Sequence, residues 1–112
     1  MRDAIFLVAT PRGTRAVAGY VIARVVAGEA DVLNLAVSPN ERGRGLGGEL
    51  LDAGLAAVMK REVREVFLEV RESNVAALAL YASRGFTTVS RRSRYYRNPV
   101  EDALLLRRAI EG

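Results

Sequence analysis

The run Arg42-Gly43-Arg44-Gly45-Leu46-Gly47-Gly48 concentrates residue types that handle anions. It stands between a β-prone segment and an amphipathic one, and a helix start presents unpaired N–H groups and the positive end of the macrodipole. Glycines let phosphate oxygens approach the backbone, and Arg42 and Arg44 add charge. The expected ligand carries phosphate. Two nucleotide motifs share part of the pattern, and neither fits. Gly43 to Gly48 has P-loop spacing, but Glu49-Leu50 stand where Lys and Ser or Thr are required, so nothing reaches a β/γ-phosphate or magnesium. Gly43, Gly45 and Gly48 also satisfy G-x-G-x-x-G, with Glu65 or Glu69 about 20 residues onward. A dinucleotide turn follows its strand at once, whereas here Ser38 to Arg42 intervene. The remaining alternative is a plain loop that uses glycine for flexibility.

The elements around this turn follow from hydrophobic period. Residues 4 to 10 and Ala16 to Val26 read as strands, separated by the turn-prone Pro11-Arg12-Gly13-Thr14. Ala27-Gly28-Glu29 breaks the second run before a third, Asp31 to Val37, and Pro39 ends that one. From Gly47 to about Lys60 the period becomes helical, with Leu46, Leu50, Leu51, Leu55, Val58 and Met59 on one face. Val63 to Arg71 is a strand with Val66, Leu68 and Val70 on one side and Phe67, Glu69 and Arg71 on the other. Ser73-Asn74 caps a second helix running to Arg84, and Gly85 closes it at the left-handed position. Thr87 to Tyr95 and Asp102 to Arg108 are the last strands, joined through Asn98-Pro99. The predicted fold is α/β (α+β), opening with an antiparallel meander, in a single domain spanning 1–112.

Composition narrows the chemistry. The 112 residues contain no cysteine and no histidine, which removes disulfides, thiolate and imidazole metal ligands, the Cys nucleophile and the Ser-His-Asp triad. No metal is expected. Lys and Arg total 17 against 13 Asp and Glu, a net charge of +4 that favours an anionic partner. No apolar run approaches the ~20 residues of a membrane helix, and Ala4 to Ala9 is shorter than a signal h-region, so a cytoplasmic protein without membrane contact is expected. Arg91, Arg92, Arg94 and Arg97 raise RNA contact as an option, but a solvated basic face is the plainer reading and nucleic acid is not expected as a partner.

Arg42-x-x-Gly45-x-Gly47, after a strand ending Leu33-Asn34-Leu35-Ala36-Val37, resembles the acyl-CoA signature of the GCN5-related N-acetyltransferases. Leu68-Glu69-Val70-Arg71-Glu72-Ser73-Asn74, with Ala79-Leu80-Tyr81 and Gly85-Phe86, is similar to the subgroup of ribosomal-protein-alanine N-acetyltransferases, as is Tyr95-Tyr96 followed by Glu101-Asp102-Ala103. The similarity spans about residues 16 to 108. It implies a mixed, mostly antiparallel sheet with helices packed on it, in which Leu33–Val37 splays from Val66–Arg71 and leaves a slot for a pantetheine arm. Leu35, Ala36 and Val37 would offer strand amides to that arm. Arg42, Gly43, Arg44, Gly45, Leu46, Gly47 and Gly48 would hold the pyrophosphate. Asn74 and Tyr81 would also meet the cofactor, although Asn74 serves equally as a helix cap. The resemblance further implies Glu69 as general base, Tyr81 as the acid protonating the departing thiolate, and Asn34, Tyr95 and Tyr96 as acceptor contacts. Without it, Glu69 reads as a strand-face charge neutralised by Arg71, Tyr81 as core packing with Ala77 and Leu78, and the tyrosine pair as cross-strand packing.

Acetyl-CoA is therefore the implied co-substrate, and an N-terminal α-amine of a protein or peptide, ribosomal proteins included, is the implied acceptor. With neither Cys nor His, direct attack of the amine on the thioester in a ternary complex is favoured over an acyl-enzyme. An α-amine of pKa ~7.8 sheds its proton at pH 7 for about 1 kcal/mol and a lysine of ~10.4 for about 4.6 kcal/mol, which favours the former. Acetylation of lysines or small amines, and a non-catalytic acyl-CoA-binding module, are the alternatives. Family members begin with a further strand and two helices that wall the acceptor groove, and this sequence opens at the second strand. That predicts a displaced start, an open groove or a wall supplied by a partner, with a homodimer covering exposed apolar surface.

Overall fold

The computed structural model describes residues 4–10, 17–43 and 45–110. Its elements are β1 (Ala4–Ala9), β2 (Gly19–Val26), β3 (Glu29–Val37), a single 3-10 turn (Pro39–Glu41), α1 (Leu46–Met59), β4 (Glu65–Arg71), α2 (Val75–Ser83), β5 (Thr87–Tyr96) and β6 (Glu101–Ala109). The strands form one six-stranded sheet in the order β1-β2-β3-β4-β6-β5, antiparallel everywhere except between β3 and β4. This is the mixed, mostly antiparallel α/β architecture that the hydrophobic pattern and the resemblance lead one to expect. The insertion of β6 between β4 and β5 has no counterpart in the sequence pattern.

Strand alternation sends one set of side chains to a single buried layer. Val21, Ala23 and Val25 of β2, Ala30 of β3, Val66, Leu68 and Val70 of β4, and Leu104 and Leu106 of β6 are buried. Leu51, Leu55 and Val58 of α1 join most of them in one cluster with Tyr81 and Phe86. Each large apolar side chain so buried contributes about 1.5–3 kcal/mol. Met59, assigned from its spacing to the buried face, is 42% exposed at the last residue of α1, one step round the helix from the buried Val58. Gly19 has no room for a side chain: a Cβ there would lie 2.7 Å from the Ala36 carbonyl oxygen and 2.8 Å from Leu50 Cδ1.

Element ends follow local chemistry. The β2–β3 turn is tighter than the sequence suggests. Val26 pairs with Glu29, leaving Ala27 (φ +51°) and Gly28 (φ +85°) as a two-residue loop whose positive φ angles suit the strand twist. Glu29 therefore belongs to β3. β2 begins at Gly19 rather than at Ala16, which lies outside the described residues, and β4 begins at Glu65 rather than at Val63. Asn74 caps α2 by accepting the Ala77 amide proton at 3.1 Å. Gly85, at φ +86°, closes α2 with its own amide bonded to Ala82 and that of Phe86 to Tyr81. Among the described residues no helix is long and apolar enough to cross a membrane.

Candidate active site

The site begins where the sheet comes apart. The β3–β4 ladder runs from Glu29↔Glu65 to Val32↔Leu68 and stops. At the same point the β2–β3 register skips a residue: Ile22 pairs with Asn34 and Ala23 with Val32, so Leu33 has no opposite number. An extra residue of this kind bends its strand, here carrying 33–37 away from β4. The resulting slot has a volume of about 220 Å³, and Leu35, Glu69, Asn74, Ala77, Tyr81 and Tyr96 are among its walls.

Beyond the α2 side of the slot lies a second cavity of about 430 Å³ between Val37, the glycine turn and Ala76, Ala77 and Leu80 of α2. Arg42 Nε donates to the Val37 carbonyl at 3.3 Å, tying the turn to the end of β3. Gly43 and Gly45 have φ of +79° and +80°, and nothing lies within 4 Å of where their side chains would point. The first helical hydrogen bond of α1 joins the Glu49 amide to the Gly45 carbonyl, so the amides of Leu46, Gly47 and Gly48 precede the ladder, and no side chain caps them. This is a concave, glycine-lined cradle with helix-start donors, and it fits a diphosphate. Gly48 has a packing reason as well: its missing side chain leaves room for the Arg84 guanidinium, which holds Asp52 through Nε at 3.1 Å and Nη2 at 3.2 Å. Ala36 lines neither cavity and borders a shallow hollow beside Gly19 and Tyr20. Arg44 lies outside the described residues.

The opposite face of the sheet carries a groove of about 560 Å³, lined by Arg24, Asp31, Leu33, Phe67, Glu69 and Tyr95 among others. No helix packs on this face among the described residues; both helices contribute to the cluster on the other side. The Glu69 carboxylate is paired with Arg92 Nη2 at 3.4 Å and not with Arg71, its neighbour two positions on. Register explains the exchange. Glu69 lies opposite Leu105 of β6, and the next strand over brings Arg92 of β5 across, while Arg71 reaches Glu101 at 3.2 Å.

Tyr95 and Tyr96 meet edge to face at 5.2 Å, each with an arginine over its ring: Arg92 at 5.4 Å from Tyr95 and Arg71 at 4.2 Å from Tyr96. Cross-strand packing is thus replaced by a tyrosine couplet between two guanidinium groups. The couplet is aimed by a second irregularity: Arg92 pairs with Ala103 and Tyr96 with Glu101, leaving three β5 residues opposite Asp102 alone. Arg94 sits there at φ +53°, its amide donating to Asp102 Oδ1 at 2.9 Å. That bond, then Arg91, holds the Asp102 carboxyl below its usual value. Of the four arginines read as a basic face, Arg91 pairs with Glu72 and Asp102, and Arg92 with Glu69.

Tyr81 stands where slot and core meet. It is buried, its ring lies edge-on to Phe86 at 5.8 Å, and it lines the slot, so packing and chemistry share one residue. Burial, then the neighbouring Tyr96, pushes its phenol above the ordinary 10, keeping it protonated across the physiological range. Burial, followed by the Glu69 charge, does the same to Tyr96. Asn34 also lines the slot, with its side-chain amide donating to the Tyr20 hydroxyl at 3.2 Å. Of the sequence-derived residues, the slot therefore gathers Asn34, Leu35, Glu69, Asn74, Tyr81 and Tyr96, the cradle gathers Val37 with the glycine turn, and Tyr95 stands in the groove. Leu33, Arg71 and Arg92 were not recognisable in advance, because what each does depends on a bulge or on strand register. Among the described residues, no cluster of three acidic side chains suits a metal ion.

The sequence and the fold that carry this slot are similar to those of known proteins. The model of the acetyltransferase (GNAT) family matches residues 2–86. This chain belongs to that family. It is 42% identical over 91 residues to the [ribosomal protein bS18]-alanine N-acetyltransferase of Escherichia coli strain K12, a match covering 80% of this chain and 62% of that protein. The chain thus spans about three fifths of the length of that curated relative. The crystal structure of the ribosomal-protein-S18-alanine N-acetyltransferase from Escherichia coli superposes with a TM-score of 0.90 and 35% identity, covering 100% of this chain and 74% of that one. A chain of the NatC complex bound to Gag peptide and CoA does so with a TM-score of 0.85 and 27% identity, covering 93% and 69%.

Proposed function

We propose that residues 1–112 work as one acetyltransferase domain that moves an acetyl group from acetyl-CoA to the N-terminal α-amine of a protein. The observation that carries this reading is the slot, which runs from the glycine cradle on the helix side to Glu69 and Tyr96 on the groove side. The family membership and the alanine N-acetyltransferase relative support it.

In this reading acetyl-CoA supplies a thioester whose acyl carbon is open to a neutral amine. The amides of Leu46, Gly47 and Gly48 and the backbone of Gly43 and Gly45 hold its diphosphate. The strand edge of 33–37, released from β4, pairs with the amides of its arm. Glu69 receives, through water, the proton that the ammonium must shed, about 1 kcal/mol uphill at pH 7 for an α-amine and about 4.6 for a lysine. The amine nitrogen bonds to the acyl carbon as the carbon–sulfur bond breaks, Tyr81 gives its phenolic proton to the departing sulfur, and the proton that the new amide nitrogen sheds returns through solvent to the phenolate. Tyr95 and Tyr96 flank the acceptor chain in the groove, beside Glu69.

Incubating the purified chain with acetyl-CoA and a panel of peptides with free N-termini, N-blocked lysine peptides and polyamines tests the proposal. Acetylation of the free N-termini well above the other classes is expected. Lysine or polyamine acetylation at equal or greater rate overturns the acceptor class, and coenzyme A binding without turnover on any acceptor overturns the activity.

A further inference from the structure

The β5–β6 hairpin that bears both tyrosines is laddered to β4 through β6, and past the last of those pairs, Arg71↔Ala103, its end meets the Arg71 guanidinium. Arg71 is the last residue of β4, and its side chain is 37% exposed. Its Nη1 donates to Glu101 Oε1 at 3.2 Å, and its guanidinium carbon lies 4.2 Å from the centre of the Tyr96 ring. Glu101 is the residue paired with Tyr96 across the hairpin, and its carboxylate, 16% exposed, also accepts the Ser73 hydroxyl proton at 3.1 Å. Arg71 therefore grips both members of the terminal hairpin pair, the ring on β5 and the carboxylate on β6. Its carbonyl accepts the Asn74 amide proton at 3.0 Å, so the same residue opens α2 and sets the Asn74 cap beside the slot.

Besides Arg71, the Tyr96 ring meets Tyr95 edge to face at 5.2 Å, and that neighbour is itself exposed. β5 is exposed over nearly all its length, and Arg94 interrupts its ladder two residues before Tyr96. Tyr96 nevertheless lines both the slot and the groove, so a rotation of its ring would change the passage between them. We propose that Arg71 is a positioning residue, wedged between the Glu101 carboxylate and the Tyr96 ring, that holds Tyr96 at the mouth of the slot and so sets how the acceptor enters. This rests on the reading that the acceptor lies in the groove. Arg71 also lines the slot, and its effect on the acceptor is exerted through Tyr96. Arginine suits the task because one planar group meets a ring with its face and a carboxylate with its edge, which a lysine ammonium does only in part.

The test compares the full chain with Arg71→Gln, Arg71→Lys and Glu101→Gln by three readouts: acceptor KM and kcat, the Kd of coenzyme A by calorimetry, and near-ultraviolet circular dichroism. The last reports the chain's four tyrosines without a tryptophan to mask them, and the part lost on substitution is assigned to the Tyr95–Tyr96 couplet by its absence in a Tyr96→Leu reference. For Arg71→Gln the expected result is an acceptor KM raised about tenfold, a coenzyme A Kd unchanged within about twofold, and loss of part of the tyrosine signal. Arg71→Lys recovers part of both effects, and Glu101→Gln follows Arg71→Gln in direction with smaller size. Unchanged acceptor KM and tyrosine signal in Arg71→Gln overturn the proposal, as does a loss of coenzyme A binding equal to the loss in KM. Should the chain prove to transfer no acetyl group, the dichroism arm still decides on the positioning role, so the two readings fail separately.

Discussion

At the glycine end of the slot the chain offers main-chain groups: helix-start amides, two glycines at positive φ and a strand edge freed by the extra residue Leu33. At the tyrosine end nearly every feature is a side chain, and the side chains come from five strands, with Arg24 on β2, Asp31 on β3, Glu69 on β4, Arg92, Tyr95 and Tyr96 on β5 and Leu105 on β6. A backbone-built end is indifferent to most substitutions and sensitive to those that change φ or fill the cradle. A side-chain-built end depends on charge pairs that titrate and on rings that rotate. On the proposed reading the division matches the ligands: the coenzyme is constant and can be met by the backbone, whereas acceptors vary and are met by replaceable side chains.

Substitutions that act on one end and spare the other sharpen this contrast. The largest effect is expected from Tyr81→Phe, which keeps the ring against Phe86 and removes the proton donor. Turnover should fall by about 10²–10⁴ while coenzyme A affinity by calorimetry stays within about twofold. Glu69→Gln should lower kcat/KM by about 10² at pH 7, and the deficit should shrink as pH rises past ~7.8, where the α-amine sheds its proton unaided. Gly19→Ala tests the support beneath both ends. Overpacking against the Ala36 carbonyl and Leu50 should cost about 1–3 kcal/mol in urea unfolding. Gly45→Ala strains a left-handed position by about 1–2 kcal/mol, so coenzyme A affinity should drop by about 5- to 30-fold with the acceptor KM unmoved.

The smallest expected effect is with acid. The Ser73 hydroxyl, then Arg71, holds the Glu101 carboxyl below its usual 4.5, and the Arg94 amide, then Arg91, holds Asp102 below its usual 3.8. Carboxyl groups depressed by folding lend stability that is fully present above their unfolded values and lost as pH falls through the lower folded ones. The tyrosine dichroism should therefore hold down to about pH 4 and fade below it, while the far-ultraviolet signal of the helices persists further.

The same division governs what could be read from the sequence. The glycine turn, the Asn74 cap and the Gly85 stop are contiguous signals, and the elements they bound appear within a few residues of where hydrophobic period places them. Glu69 and Tyr81 stand out through the resemblance alone, since by type and neighbourhood they read as a strand-face charge and a core ring. Their partners were not recognisable, because Arg92 reaches Glu69 only across a strand order in which β6 separates β4 from β5. The bulges at Leu33 and Arg94 leave no composition signal, since each is a register slip between segments that look regular one at a time.

The claim on which the rest depends is that the strand edge 33–37 and the amides of 46–48 are where coenzyme A binds, and amide hydrogen exchange tests it most directly. With saturating coenzyme A the account predicts slowed exchange in peptides covering 33–37 and 46–48, with little change in those covering 87–96. Unchanged exchange in the first two segments, or protection confined to β5 and β6, would contradict it.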